Sequence, residues 1–571
     1  MSKEGHDISR RSFIKNSAIG AAGVAAAAVL PACAPAVVTP GAQSDPTAPA
    51  AAAQPTAPAA VAAAPSSACE DWLGQAPGIT DAQVGSTITS DVVIVGAGVA
   101  GIAAARAACE ANPKAVVTVI EAAEKYTVRG LEFGALDAQI QKDAGVHYDH
   151  MQVVRDLMQI SGNRANPSIL KKWADESGET FDWFEAILKE SGKDFGYYLT
   201  NWPNPVGFDG SKEYYPEYCT HIQFKDWVGA IDVLYNKAVS LGAKFIFSTR
   251  ARQLVVENGA VKGVYAEGAD KKLIKVVASK GVILATGDYG NNEAMVKALA
   301  PEFSRAVGGV TKIVTSNGDG HKMAIWAGGV MEPGPHAGMA HAFAGGFGGI
   351  GATAALQLNA FGKRYANEDV PGQPFTNQVI RQPNATSWQI FDANWQEMIK
   401  HQSIGHGNLE LPLLDEAALK KMDDGFRANL DASKKADRVM VYAGNTLEEL
   451  FGKIKLPVDA AKASVERYNE LCKKGSDDDF GKRADRMFPV DTAPFFAAKA
   501  YVTTGVVCSG VVVDTDMKVL DSNYAPIPGL WAVGNTAGGR FAGDYPVTCP
   551  AISHGSAITF GRSAGTQAAK A

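Results

Sequence analysis

Three glycines, Gly96, Gly98 and Gly101, follow the β-branched run Asp91-Val92-Val93-Ile94-Val95 without a gap and open the Ala-rich, helix-forming stretch Ile102 to Cys109. A second β-branched run, Val116 to Ile120, ends in Glu121. Strand, glycine turn, helix, strand and acid, in that order, form a seat for a dinucleotide. Gly96 makes the tight turn and Gly98 lets a pyrophosphate approach the backbone. Gly101 lets helix and strand pack closely, and Glu121 accepts from ribose hydroxyls. The helix N-terminus then faces the phosphates.

Three further segments carry the pattern across the chain. Val282 to Leu284 is a buried strand that enters the turn Ala285-Thr286-Gly287, and Ser316-Asn317-Gly318-Asp319-Gly320 opens a helical stretch at His321. Gly529 to Asn535 is another strand entering a turn, and a small-residue helix runs from Ala551 to Ala569. Together the four segments resemble the flavoprotein subunit family of fumarate reductase, succinate dehydrogenase and 3-ketosteroid dehydrogenase, over most of the chain after Thr87.

The resemblance implies an α/β fold, a Rossmann-type FAD-binding domain with an inserted α+β capping domain, and FAD as the cofactor. It places Glu121 and Ala122 at the adenosine ribose and Asp319 near the pyrophosphate or ribityl chain. It puts Asn535, where the family often has Glu, on the ribityl hydroxyls. Gly134, Val255, Ala285, Thr286 and Gly287 join the same set, and Ala551 and Ile552 aim the last helix N-terminus at the flavin ring. A positive helix end there favours an anionic reduced flavin.

The resemblance also marks the reacting groups. Arg364-Tyr365-Ala366-Asn367-Glu368 matches a stretch of the family's cap. Four residues beyond that Glu, fumarate reductases have a proton-donating Arg and 3-ketosteroid dehydrogenases a basic Tyr; this chain has Gly372. Arg381, the next Arg along, fills the vacancy if the loop folds back and is otherwise a solvated loop residue. In the loop Gly538-Gly539-Arg540-Phe541-Ala542-Gly543-Asp544-Tyr545-Pro546, Tyr545 stands where dicarboxylate reductases bind a substrate carboxylate with Arg. The Tyr-Pro pair is similar to the ketosteroid branch, which disfavours fumarate and makes Tyr545 the expected catalytic donor. His336, His341 and Arg540 are the candidate substrate contacts. The aromatics Tyr197, Tyr198, Trp202, Phe208, Tyr214, Tyr215 and Tyr218 either stack on a planar substrate or pin a surface loop.

These groups need a large scaffold, and 571 residues supply two or three folded units. Arg10-Arg11 ahead of the apolar run Ala18 to Leu30 resembles a twin-arginine export signal, with Cys33 in a lipidation-box position. The run is too short to span a bilayer permanently. Residues 1–33 thus read as signal, and 34–85 as a disordered Ala/Pro-rich tether. The FAD-binding domain follows at 86–330 and 507–571, with the cap at 331–506 between. A formal charge of −6 with no basic run excludes a nucleic-acid footprint. Seven cysteines without a Cys-x-x-Cys spacing leave no metal or haem signature and select no disulfide. Electrons must then come from a separate donor protein.

The expected activity is extracytoplasmic reduction of an activated C=C bond in a small organic acceptor, an enoate, aryl-enoate or enone. The rivals are a ketosteroid-type dehydrogenase, a fumarate- or urocanate-type reductase, and a flavin electron carrier without substrate chemistry.

Overall fold

A strand buried on both faces needs cover on both sides, and Val92 to Val95 and Val117 to Ile120 are buried at every position. In the computed structural model, which describes residues 72–200, 218–305, 315–344, 355–370, 372–400, 416–430 and 441–571, these runs lie at the centre of a sheet. Its parallel core runs Pro526–Ala532, Leu273–Leu284, Ser86–Val95, Val117–Ile120, Lys244–Ile246. Antiparallel Arg250–Glu257, Ala260–Glu267 and Lys518–Leu520 complete eight strands.

Helices Val99–Ala111 and Ile552–Lys570 pack on each other almost backbone to backbone. A Cβ on Gly561 would stand 2.3 Å from the Ala100 carbonyl oxygen, and one on Gly565 would stand 2.1 Å from that of Ala104. The glycines, four apart, lie on one helix face, so that face fits only without side chains.

The second sheet has five strands, all antiparallel. Gly338–Ala344, Thr386–Phe391 and Val441–Gly444 pair along the long strand Phe495–Val507, and Leu356–Leu358 pairs with Thr386–Phe391. With helices such as Gly372–Val379 and Val458–Lys474 around it, this is the α+β insertion anticipated between the flavin segments. It has apolar clusters of its own, including Phe391, Trp395, Phe426 and Phe496.

A buried charge cluster anchors the Arg364 to Glu368 stretch. The Arg364 guanidinium donates two hydrogen bonds to Glu368, at 2.9 and 2.8 Å, and two to Asp477, at 2.9 and 2.7 Å. Lys482 Nζ lies 3.4 Å from Glu368 and donates to the Tyr468 hydroxyl at 2.9 Å.

The tether ends earlier than residue 85. Trp326 Nε1 donates to the Gly74 carbonyl at 3.2 Å, Gln253 grips the Ile79 backbone through both its side-chain atoms, and Asp81 accepts from Tyr265 and Lys275. Ile79 packs with Val255 and Tyr265. An apolar side chain and one carboxylate thus dock this segment. Residues 1–71, on which the expected export signal and Cys33 fall, lie outside the described residues.

Tyr197 sits between Phe181 and Phe224 with its hydroxyl donating to Glu185 at 2.7 Å. Tyr218 stands edge-on to Tyr148 and donates to Asp156. Both serve packing rather than substrate stacking; Trp202, Phe208, Tyr214 and Tyr215 lie outside the described residues. Cys109, Cys219, Cys472, Cys508 and Cys549 are free thiols. Among the described residues no helix is long and apolar enough to cross a membrane.

Candidate cofactor and active site

The glycine turn opens into a cleft. Gly96 has φ +108°, and a Cβ on it would stand 2.4 Å from the Ala285 carbonyl oxygen; one on Gly101 would stand 1.9 Å from that of Gly96. Only glycine fits either place. Gly98, Glu121, Ala122, Ala285, Thr286, Gly287 and Asp319 line the same cleft. The Glu121 carboxylate is locked by backbone amides, one oxygen accepting from Ala97 at 2.7 Å and the other from Ala123 at 2.8 Å. Each oxygen retains a lone pair for a hydroxyl.

Two arginines on the wall were not apparent from spacing. Arg250 donates to both oxygens of Asp319, at 2.7 and 3.0 Å, so the pair is a fixed fork. The hydrogen bond to Asp319 holds the guanidinium above its ordinary pKa against the pull of burial. Arg129 lines the cleft while donating to the Gly505 carbonyl of the long cap strand at 2.5 Å. Val255, expected here, is displaced into the Ile79 cluster, and Ala251 takes the wall instead. Register shifts between Ala251 and Gln253, and between Val255 and Val256, turn the strand away from the cleft.

The residues expected at the flavin ring gather around the N-terminus of Ile552–Lys570. Ala551 caps it at φ 63°, and Gly134 presses so close that a Cβ there would stand 2.5 Å from the Ala551 carbonyl carbon. The Tyr545 hydroxyl, 1% exposed as a residue, donates to Ser553 Oγ at 3.3 Å in the first turn. Burial pushes the phenol above its ordinary pKa, so it stays a donor.

Arg540, a candidate substrate contact, is buried. At 2% exposure it donates to Asn535 Oδ1 at 2.8 Å and Ser556 Oγ at 3.0 Å, with no hydrogen-bond partner at Nε. Asn535 thereby spends its carbonyl on Arg540 and keeps its amide for a hydroxyl. His321, also missed, is enclosed beside it: Nε2 meets the Asn535 carbonyl oxygen at 3.2 Å, and burial lowers the imidazole to about 4, which keeps it neutral.

His336 does not present a free donor. Its Nδ1 shares a hydrogen bond with the Tyr289 hydroxyl at 2.6 Å and its Nε2 donates to the Glu332 carbonyl at 3.0 Å, so both nitrogens are used within the protein. His341 pairs its backbone with Thr503 in the cap sheet. Arg381 takes the solvated position: its side chain is 61% exposed and faces Glu302 at 3.6 Å, beyond the end of Gly372–Val379. Gly372 begins that helix, and two of its side chains, Gln373 and Asn377, reach Asp544. Asp544 is the acid that spacing did not single out.

A nucleotide cleft on a parallel sheet, its wall bonded through Arg129 to an antiparallel cap, defines a flavin-dependent oxidoreductase acting on CH–CH groups. The turn without room for side chains, the locked carboxylate and the Arg250–Asp319 fork all fit FAD. The family model for the FAD binding domain matches residues 91–548, and the chain belongs to that family. It is 29% identical over 505 residues to a vinyl phenol reductase of Lactiplantibacillus plantarum, covering 84% of this chain and 96% of that protein. It is 28% identical over 505 residues to a cytochrome-type fumarate reductase of Shewanella frigidimarina, covering 84% and 77%. The crystal structure of 3-ketosteroid-Δ4-(5α)-dehydrogenase from Rhodococcus jostii superposes with a TM-score of 0.64 at 21% identity, covering 87% of this chain and all of that one.

Proposed function

We propose that this protein reduces the activated C=C bond of a small aryl-conjugated or carbonyl-conjugated acceptor, and that fumarate is not its substrate. The observation that carries the reading is Tyr545, a buried neutral donor at the N-terminus of Ile552–Lys570. When bound, FAD supplies the hydride. Tyr545 donates a hydrogen bond to the substrate oxygen, and the helix end adds positive potential beneath it. The cap, held to the cleft through Arg129 and Gly505, excludes water. The vinyl phenol reductase, whose name implies an aryl-conjugated C=C, supports the acceptor class.

Arg540, the arginine of this loop, is enclosed among Asn535 and Ser556, and Arg381 faces Glu302. Fumarate carries two carboxylates where an aryl-enoate carries one, and each carboxylate buried without a cation costs several kcal/mol. Dithionite-reduced protein mixed anaerobically with enones, aryl-enoates, vinyl phenols and fumarate should be reoxidised by at least one of the first three. Fumarate should react at least ~10²-fold more slowly, equivalent to about 2.7 kcal/mol. Equal rates with fumarate would refute the substrate class, and no reoxidation by any acceptor would make the protein an electron carrier.

We further infer export by the twin-arginine route, which carries folded proteins with cofactor in place. Replacing Arg10 and Arg11 by Lys should retain the protein in the cytoplasmic fraction; undiminished export would overturn this reading. Lipid attachment at Cys33 belongs to the same proposal and predicts release from membranes in Cys33→Ala.

A further inference from the structure

Reduction of a C=C bond needs a proton as well as a hydride, and the family's donor position is Gly372. A group that fills the gap must bear a proton near neutral pH, lie between cap and flavin domain, and regain the proton after each turnover. Among the described groups at that seam, His336 has both nitrogens engaged and the Tyr545 phenol is pushed upward by burial. Arg540 is fully enclosed.

We propose that Asp544 is the acid that protonates the substrate carbon, a reading that rests on the reductase function above. Its carboxylate accepts from Asn377 Nδ2 at 3.0 Å and Gln373 Nε2 at 3.4 Å, residues four apart on one face of Gly372–Val379. It also accepts from the Tyr545 amide at 2.9 Å. Asp544 therefore reaches the first turn of the helix that Gly372 begins, while its neighbour Tyr545 reaches the first turn of Ile552–Lys570. The two side chains span the seam from cap to flavin end. Asp544 is only partly buried, so solvent can return its proton.

The surroundings suit an acid. Burial raises the carboxyl to about 6, the three N–H donors opposing and Glu302 adding to the rise. The facing groups are the neutral amides of Gln373 and Asn377, the Tyr545 backbone, Glu302 and its partner Arg381, and Arg164, whose guanidinium lies 3.9 Å from where a Cβ of Gly543 would stand. In the step, the hydride and its electron pair pass from reduced FAD to the carbon β to the activating group. The Asp544 O–H bond breaks, its proton forms the C–H bond at the α carbon, and the three N–H groups receive the carboxylate. FAD ends oxidised and the alkene reduced.

The test compares wild type with Asp544→Asn in anaerobic single turnovers of dithionite-reduced protein, with the best aryl enone or aryl-enoate and with β-nitrostyrene. A nitro group holds the transferred electron pair as a nitronate, so its reduction does not wait for the carbon proton. The enone or enoate rate should fall on the order of 10²-fold in Asp544→Asn. The β-nitrostyrene rate, FAD content, melting temperature and acceptor affinity for the oxidised protein, read from flavin absorbance, should hold. Above pH ~6 the wild-type enone rate should fall with rising pH, and the variant should lose that slope. Asp544→Glu, which keeps the acid, should recover part of the rate. Equal loss with both acceptors, or no loss with either, overturns the proposal while leaving the reductase reading intact. A wild type that reduces β-nitrostyrene alone also overturns it. A wild type that reduces neither acceptor class removes the reductase reading itself.

Discussion

A Tyr545→Phe protein is expected to bind FAD fully and to turn over its best acceptor on the order of 10²-fold more slowly, the lower range for one oxyanion-type donor. The ring is packed edge-on against Phe541 at 5.2 Å and phenylalanine keeps that contact. The hydrogen bond to Ser553 is lost, which costs about 1 kcal/mol of stability. Because Tyr545 polarises the acceptor rather than delivering the carbon proton, the loss should appear with β-nitrostyrene as well as with an enone. That shared loss separates it from Asp544→Asn, which should spare the nitroalkene. Steady-state kinetics and single turnovers over both acceptors check the pair. Unchanged turnover in Tyr545→Phe would leave its hydroxyl a packing group.

The contrast between these adjacent residues shows where sequence stops informing. The cofactor seat was legible because strand, turn, helix and acid are consecutive, and each glycine answers to a local backbone need. Gly96, Gly98, Gly101 and Glu121 sit where the pattern places them. The Asp544 to Gln373 contact instead joins residues 171 apart, and that between His336 and Tyr289 joins residues 47 apart. Spacing can put a residue on a loop, but which face it turns inward depends on packing from elsewhere. Arg540 illustrates this: a glycine-rich loop reads as solvated, yet the last helix and the strand ending near Cys508 close over it. Val255 packs with Ile79 in a hairpin whose β-bulges shift its register, which local sequence does not announce.

The largest stability effect is expected at Arg364, whose replacement by Leu should cost about 3–5 kcal/mol, the usual penalty for stranding buried charges. Its side chain is 6% exposed, and four hydrogen bonds tie it to Glu368 and Asp477, which are themselves buried. Lys482 can compensate only in part, because it has a single ammonium for Glu368 at 3.4 Å and burial already lowers its own pKa. The pH dependence follows from Asp477. Burial pushes that carboxyl up, but hydrogen bonds from Arg364 and from the Lys482 and Phe480 amides bring it down to about 2. A carboxyl whose folded pKa lies below its unfolded value of about 3.9 stabilises fully above that value. The contribution is lost as pH falls from about 4 toward 2. Wild type should therefore lose stability through this window, and the gap between wild type and Arg364→Leu should narrow as Asp477 becomes neutral. Thermal unfolding of both proteins from pH 7 to pH 3 measures this. A difference below about 1 kcal/mol at pH 7, the range of a surface pair, would show that the cluster does not hold the cap together.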